Sequence, residues 1–144
     1  MKPFILSVLF LLFGSATTSA QPERVITREQ LPAAAQQFLR EYFPSADIAS
    51  VREESSLQRR EYDVVFYNGT HIEFSAEGEW REVTSHKALP QGIVPSSIQA
   101  YVSENYPMLP IVHIERSRRE WEVGLDNGME LTFDSRFRLI DIDD

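Results

Sequence analysis

Two stretches of the chain carry apolar residues at spacings of three and four. Ala35, Phe38, Leu39 and Tyr42 lie between Pro32 and Pro44, and Ile98, Tyr101 and Val102 lie between Pro95 and Pro107. Each pattern predicts a helix with one apolar stripe, opened by a proline whose fixed φ suits the first turn and stopped by a proline that cannot continue it. Neither helix is apolar all round, so each needs a platform to cover its stripe. The segments that follow supply one. Apolar and polar residues alternate near 48–52, 62–66, 70–74 and 79–83, and again near 111–115, 121–125, 129–133 and 138–142, the period-two signature of half-buried strands.

The phase of the alternation fixes the turns. A two-residue Asn68-Gly69 loop would set Phe66 opposite His71 and mix polar with apolar side chains on one face. A three-residue Tyr67-Asn68-Gly69 loop sets Phe66 opposite Thr70 and Val64 opposite Ile72 instead. The spacing therefore predicts a type I turn with a glycine bulge there, and the same at Asp126-Asn127-Gly128. In this register the helix-facing side carries Tyr62, Val64, Phe66, Ile72 and Phe74, then Trp121, Val123, Leu125, Leu131 and Phe133. The opposite side carries Asp63, Val65, His71 and Glu73, then Glu122, Gly124, Glu130 and Thr132, with no helix left to cover it. An antiparallel sheet tolerates one face in water.

The second half of the chain reads like the first. An offset of 63 residues aligns Leu31-Pro32 with Val94-Pro95 and Phe43-Pro44 with Tyr106-Pro107. After the polar insert Ser55-Ser56-Leu57-Gln58 the offset becomes 59, pairing Tyr62 with Trp121, Asn68-Gly69 with Asn127-Gly128, and Phe74 with Phe133. This predicts an α+β fold, a tandem repeat of a helix plus a four-stranded antiparallel β-meander with the helices packed on one sheet face. The units are 31–85 and 86–144, after a lead-in at 21–30. Phe137 stands where the first unit has Gly78, so the last turn of the second unit is expected to be built differently.

The chain opens with Lys2, an apolar run from Phe4 to Phe13, and small residues at Thr18-Ser19-Ala20. That is the layout of a secretory signal peptide over 1–20, cleaved after Ala20, and its apolar core is about half of the ~20 residues a membrane-spanning helix needs. The expected location is periplasmic or secreted, with no membrane anchor after cleavage. The chain has no cysteine, hence no disulfides and no thiol for a lipid anchor. Its 14 basic against 22 acidic residues, net −8, leave no basic stripe for nucleic acid.

No Gly-x-Ser-x-Gly elbow, His-Glu-x-x-His, phosphate loop or dinucleotide glycine pattern occurs, so no catalytic residues, no cofactor and no enzymatic activity are expected. His71, His86 and His113 lack a short ligand spacing, so no metal site is expected either. The acidic end Asp141-Ile142-Asp143-Asp144 lacks the glycine loop of a calcium hand and reads as a solvated tail. Asn68-Gly69-Thr70 matches a glycosylation acceptor, but turn chemistry explains it. The remaining candidate is the uncovered face, where Val65, His71, Glu73, Glu122 and Glu130 would meet a partner. Trp80 joins them as an aromatic anchor if it faces outward; as counterpart of Leu139 it would face the core, whereas the alternation through Arg81 and Val83 conflicts with that.

These motifs resemble the PepSY-like, beta-lactamase-inhibitor-like family of secreted bacterial proteins. The resemblance rests on Leu31-Pro32 and Val94-Pro95, Phe43-Pro44 and Tyr106-Pro107, Tyr62 or Trp121 before an Asn-Gly turn, Ile72-Glu73-Phe74 and Leu131-Thr132-Phe133, and Gly78-Glu79-Trp80, and spans about 31–142. It implies an exported, non-catalytic protein that binds or inhibits another protein. The expected function is binding of a protein or peptide partner in the envelope or outside the cell through the open sheet face. The alternative is a periplasmic sensor of a small ligand or metal ion, held between the two units.

Overall fold

The structure is a computed structural model and describes residues 23–144; the expected signal peptide lies outside the described residues. Strand β1 (Glu23–Val25) leads through a single 3-10 turn to helix α1 (Ala33–Tyr42). Strands β2 (Ile48–Ser55), β3 (Arg60–Phe66), β4 (His71–Ser75) and β5 (Trp80–Thr84) follow. Helix α2 (Ser96–Asn105) then precedes β6 (Ile111–Arg116), β7 (Glu120–Leu125), β8 (Glu130–Asp134) and β9 (Leu139–Asp143). All nine strands form one antiparallel sheet in chain order.

The sheet register places one apolar row across eight strands. Val51, Val64, Ile72, Val83, Ile114, Val123, Leu131 and Ile142 are successive cross-strand partners. Six of them, from Val64 to Leu131, are fully buried. Both helices cover this side: Phe38 of α1 packs edge-on to Phe74 at 5.6 Å, and Tyr101 of α2 packs edge-on to Phe133 at 5.6 Å. The stripe residues Ala35, Phe38, Leu39, Ile98 and Val102 are the buried ones, as their spacing requires. Both Asn-Gly turns are type I with a glycine bulge: Gly69 N donates to Phe66 O (3.0 Å) and Gly128 N to Leu125 O (3.0 Å), with φ of +88° and +87° at the glycines.

The expected tandem of two helix-plus-four-stranded units is not what forms. A ninth strand, β1, adds to β2 within the expected lead-in, and β5 pairs with β6 through Glu82/Glu115, Val83/Ile114 and Thr84/His113. One sheet with two helices results, mostly strand. The physical reason is the edge of β5: its unpaired N–H and C=O groups meet those of β6 in a register that continues the apolar row, so neither is left as an open edge.

Local bulges account for two further departures. Arg81 is an extra residue between the pairs Glu73/Glu82 and Phe74/Trp80, so the phase of β5 shifts and Trp80 turns to the helix side. Trp80 is thus not on the open face, which removes it from the expected partner surface. Its ring lies 6.3 Å from Phe38 and 6.1 Å from Trp121. The Arg116 guanidinium stacks 3.9 Å above it, and Arg116 Nε donates to Trp80 O at 2.8 Å, linking β6 to β5. Arg116→Ala is expected to lower stability by about 1–2 kcal/mol through the lost stacking and the unpaired carbonyl, as read by urea unfolding; a loss below about 0.5 kcal/mol would mean the stack contributes nothing beyond packing.

The last turn, expected to differ, has the same hydrogen bonds as its counterpart: Phe137 N to Asp134 O at 2.9 Å, where Gly78 N donates to Ser75 O at 2.9 Å. Phe137 adopts φ +63°, and packs its ring 5.6 Å from Trp121, which offsets the roughly 1 kcal/mol strain of a left-handed non-glycine residue. Gly78 has no such latitude. A Cβ there would lie 2.8 Å from Pro32 Cβ and 2.9 Å from Ala35 N, because the start of α1 rests on that turn.

Candidate functional site

Behind every residue of the apolar row stands one that points the other way, and most of these are acidic. The open-face row runs Arg52, Asp63, Glu73, Glu82, Glu115, Glu122, Thr132, Asp141 as successive cross-strand partners. Five carboxylates on five adjacent strands, from Asp63 on β3 to Glu122 on β7, are therefore neighbours at the inter-strand spacing of about 4.8 Å. A second row holds Ser50, Val65, His71, Thr84, His113, Gly124, Glu130 and Asp143. Beside Asp63, Glu54 pairs with Glu61. The acidic C-terminal residues Asp141 and Asp143 belong to β9 and lie on this face, rather than forming a tail.

Burial, and after it the crowding of like charge, raises the carboxyls of this face. Burial in the sheet face, then repulsion by Glu61, Asp63 and Glu82, pushes the Glu73 carboxyl up to about 8. Burial, then Glu130 and Glu115, pushes Glu122 up to about 7. Glu82 rises through burial and Glu115, Glu115 through burial and Glu130, and Glu54 through burial and Asp63. Glu61 stands against Glu73 and Glu130 against Glu122, so each raised carboxyl has a further carboxylate beside it. Each arrangement holds a carboxyl close to another carboxyl, where a bound cation would take the place of a proton.

Two histidines sit among these groups with opposite behaviour. His71 Nε2 lies 2.9 Å from Asp63 Oδ1, and that hydrogen bond raises its pKa above the ordinary imidazole value. His113 is pushed down by burial and is held by Thr84, whose Oγ1 is 2.8 Å from His113 Nδ1. Ligand atoms of Glu82, His113 and Glu115 all lie within 4.8 Å of one another. Glu82 belongs to β5 and the other two to β6, so this group straddles the seam between the two halves of the sheet.

Of the residues expected at a partner surface, Val65, His71 and Glu73 lie together on β3 and β4, while Glu122 and Glu130 lie on β7 and β8 of the same face. Trp80 lies on the opposite face. Glu82, His113 and Glu115 were missed. His113-Ile114-Glu115 has the period-two spacing that puts two ligands on one face, but Glu82 is brought to them only by the β5–β6 register.

The family model for beta-lactamase-inhibitor-like, PepSY-like domains matches residues 60–141. The chain belongs to the PepSY-like family. Solved structures carry this PepSY-like fold over nearly the whole chain. A protein of Bacteroides vulgatus, described as a candidate periplasmic protein, is 39% identical with a TM-score of 0.83, over 88% of this chain and 100% of that one. A protein of Bacteroides thetaiotaomicron, described as a candidate calcium-regulated periplasmic protein, is 41% identical with a TM-score of 0.83, over 85% of this chain and 97% of that one. A second Bacteroides vulgatus protein, described as a candidate periplasmic protein of unknown function, is 32% identical with a TM-score of 0.80, over 85% and 100%. No curated protein matches the chain. No helix among the described residues of this PepSY-like chain is long and apolar enough to cross a membrane. Nothing in the family or its solved relatives points to an enzymatic activity.

Proposed function

We propose that this protein is an exported, non-catalytic binding protein of the periplasm whose open sheet face takes up divalent cations, calcium foremost. The observation that carries the reading is the unbroken run of Asp63, Glu73, Glu82, Glu115 and Glu122 across five strands. A divalent ion with carboxylate oxygens around it would offset the burial and, after it, the mutual repulsion that raise four of these groups. The calcium-regulated description of the 41% identical relative supports the choice of ion. In this reading the ion is held on one continuous sheet face that includes the β5–β6 seam, and not between two separate units. A protein or peptide partner would use the same face through a lysine- or arginine-rich segment, in competition with the ion.

The test is a thermal melt of metal-stripped protein at pH 7.5 with added CaCl2 or MgCl2. A ligand at 100 times its Kd adds about 2.7 kcal/mol, a rise in Tm of roughly 10 °C for a domain of this size. Calcium is expected to produce a saturable rise that the double variant Glu73→Gln, Glu122→Gln loses. An equal small rise with either salt and with the variant would reduce the effect to charge screening and sink the reading.

A further inference from the structure

We infer that Glu82, His113 and Glu115 form a distinct subsite at the β5–β6 seam for a borderline divalent metal of the zinc class. The inference rests on the reading of the face as a cation surface and narrows which ion its centre takes. Three donor atoms within 4.8 Å of one another suit a single ion, because ligands bonded at about 2.0–2.2 Å around one centre are separated by less than that. The donor set differs from the rest of the face in having an imidazole nitrogen. Calcium and magnesium take oxygen ligands, whereas zinc and its neighbours accept nitrogen readily. Two carboxylates and one imidazole neutralise such an ion and leave a fourth position for water.

The surroundings are arranged for that imidazole. Gly124 is the cross-strand neighbour of His113 in the middle of β7, with ordinary backbone, and a Cβ there would come within 3.0 Å of His113 Cβ. Glycine inside a strand costs about 0.5–1 kcal/mol relative to alanine. Here it gives room to the base of the His113 side chain, while the nearest ring atoms would lie at an ordinary 3.6 Å. On the other flank the Thr84 hydroxyl lies 2.8 Å from Nδ1 and holds the ring, with Glu82 Oε1 3.7 Å from the same nitrogen.

The deciding experiment is calorimetric titration of the metal-stripped protein with ZnCl2 and, separately, CaCl2 at pH 7.0, for wild type, His113→Gln, Glu82→Gln and Glu73→Gln/Glu122→Gln. Expected are one zinc per chain, at least tenfold weaker zinc binding in His113→Gln and Glu82→Gln, and calcium binding that His113→Gln leaves intact. The histidine side-chain NMR signals of wild type should show His113, and not His71 or His86, shifting with zinc. Zinc that binds His113→Gln as tightly as wild type, or that shifts His71 instead, overturns the seam site. So does zinc binding that falls only in Glu73→Gln/Glu122→Gln, since that would be general attraction to the face. Failure of the calcium reading would appear separately, as zinc binding that depends on His113 with no calcium uptake.

Discussion

Phe74→Ala is expected to remove about 3–5 kcal/mol of folding stability, enough to unfold much of the protein at 37 °C if its total lies near the low end of the usual 5–15 kcal/mol. Phe74 is fully buried in β4, between its cross-strand partners Tyr62 and Trp80. Phe38 of α1 places its ring edge-on above it at 82°, and Phe38 in turn touches Tyr42, Phe43 and Trp80. Truncation therefore opens a cavity under the helix at the point where α1 and three strands meet, and the rigid sheet backbone cannot close it. Guanidinium unfolding measures the loss. Tyr67→Ala, at an exposed turn position, serves as control and should change stability by less than about 0.5 kcal/mol. A loss below 1 kcal/mol for Phe74→Ala would mean that the helix does not pack on the sheet as described.

That core was legible in the sequence because one period governs each element. Spacings of three and four gave α1 and α2, and alternation placed Val64, Ile72, Val123 and Leu131 on one side with Asp63, Glu73, Glu122 and Thr132 on the other. What stayed hidden depends on contacts between distant segments. Glu23-Arg24-Val25 is too short to show alternation; β1 is held by register and by the ion pairs Arg24–Glu53 and Arg52–Glu23. Trp80 was ambiguous because one bulged residue, Arg81, inverts the phase and leaves no mark on composition. The seam of β5 and β6 joins strands separated by α2 and its loops, so neither the single sheet nor the meeting of Glu82 with His113 follows from local pattern. The acidic face as a whole was visible residue by residue, yet its run across five strands needed that same seam.

Stability of the metal-free protein is expected to fall as pH rises from about 5.5 to 8.5. The sign follows from the direction of the shifts: a carboxyl whose pKa is raised by folding binds more protons in the folded than in the unfolded chain. Its contribution is therefore full below the ordinary carboxylate value and is lost as pH climbs through the raised one, which for Glu73 is about 8 and for Glu122 about 7. Glu54, Glu82 and Glu115 shift the same way. His71, raised by Asp63, also loses its contribution as pH rises, whereas His113, lowered by burial, withdraws stability only as pH falls below the ordinary imidazole value. Discounted for solvent reaching the face, the loss over this range is on the order of 3 kcal/mol, with Glu73 supplying about 1–2 of it. Thermal melts in EDTA across the range measure it. Glu73→Gln should flatten the slope and melt higher than wild type at pH 8.5, because Glu61, Asp63 and Glu82 then face a neutral amide. Glu77→Gln, at an exposed turn position, should change nothing. A stability that instead rises steadily to pH 8.5, with Glu73→Gln no better than wild type there, would show that these carboxylates do not repel one another across the sheet, and would take with it the main reason for that face to hold a cation.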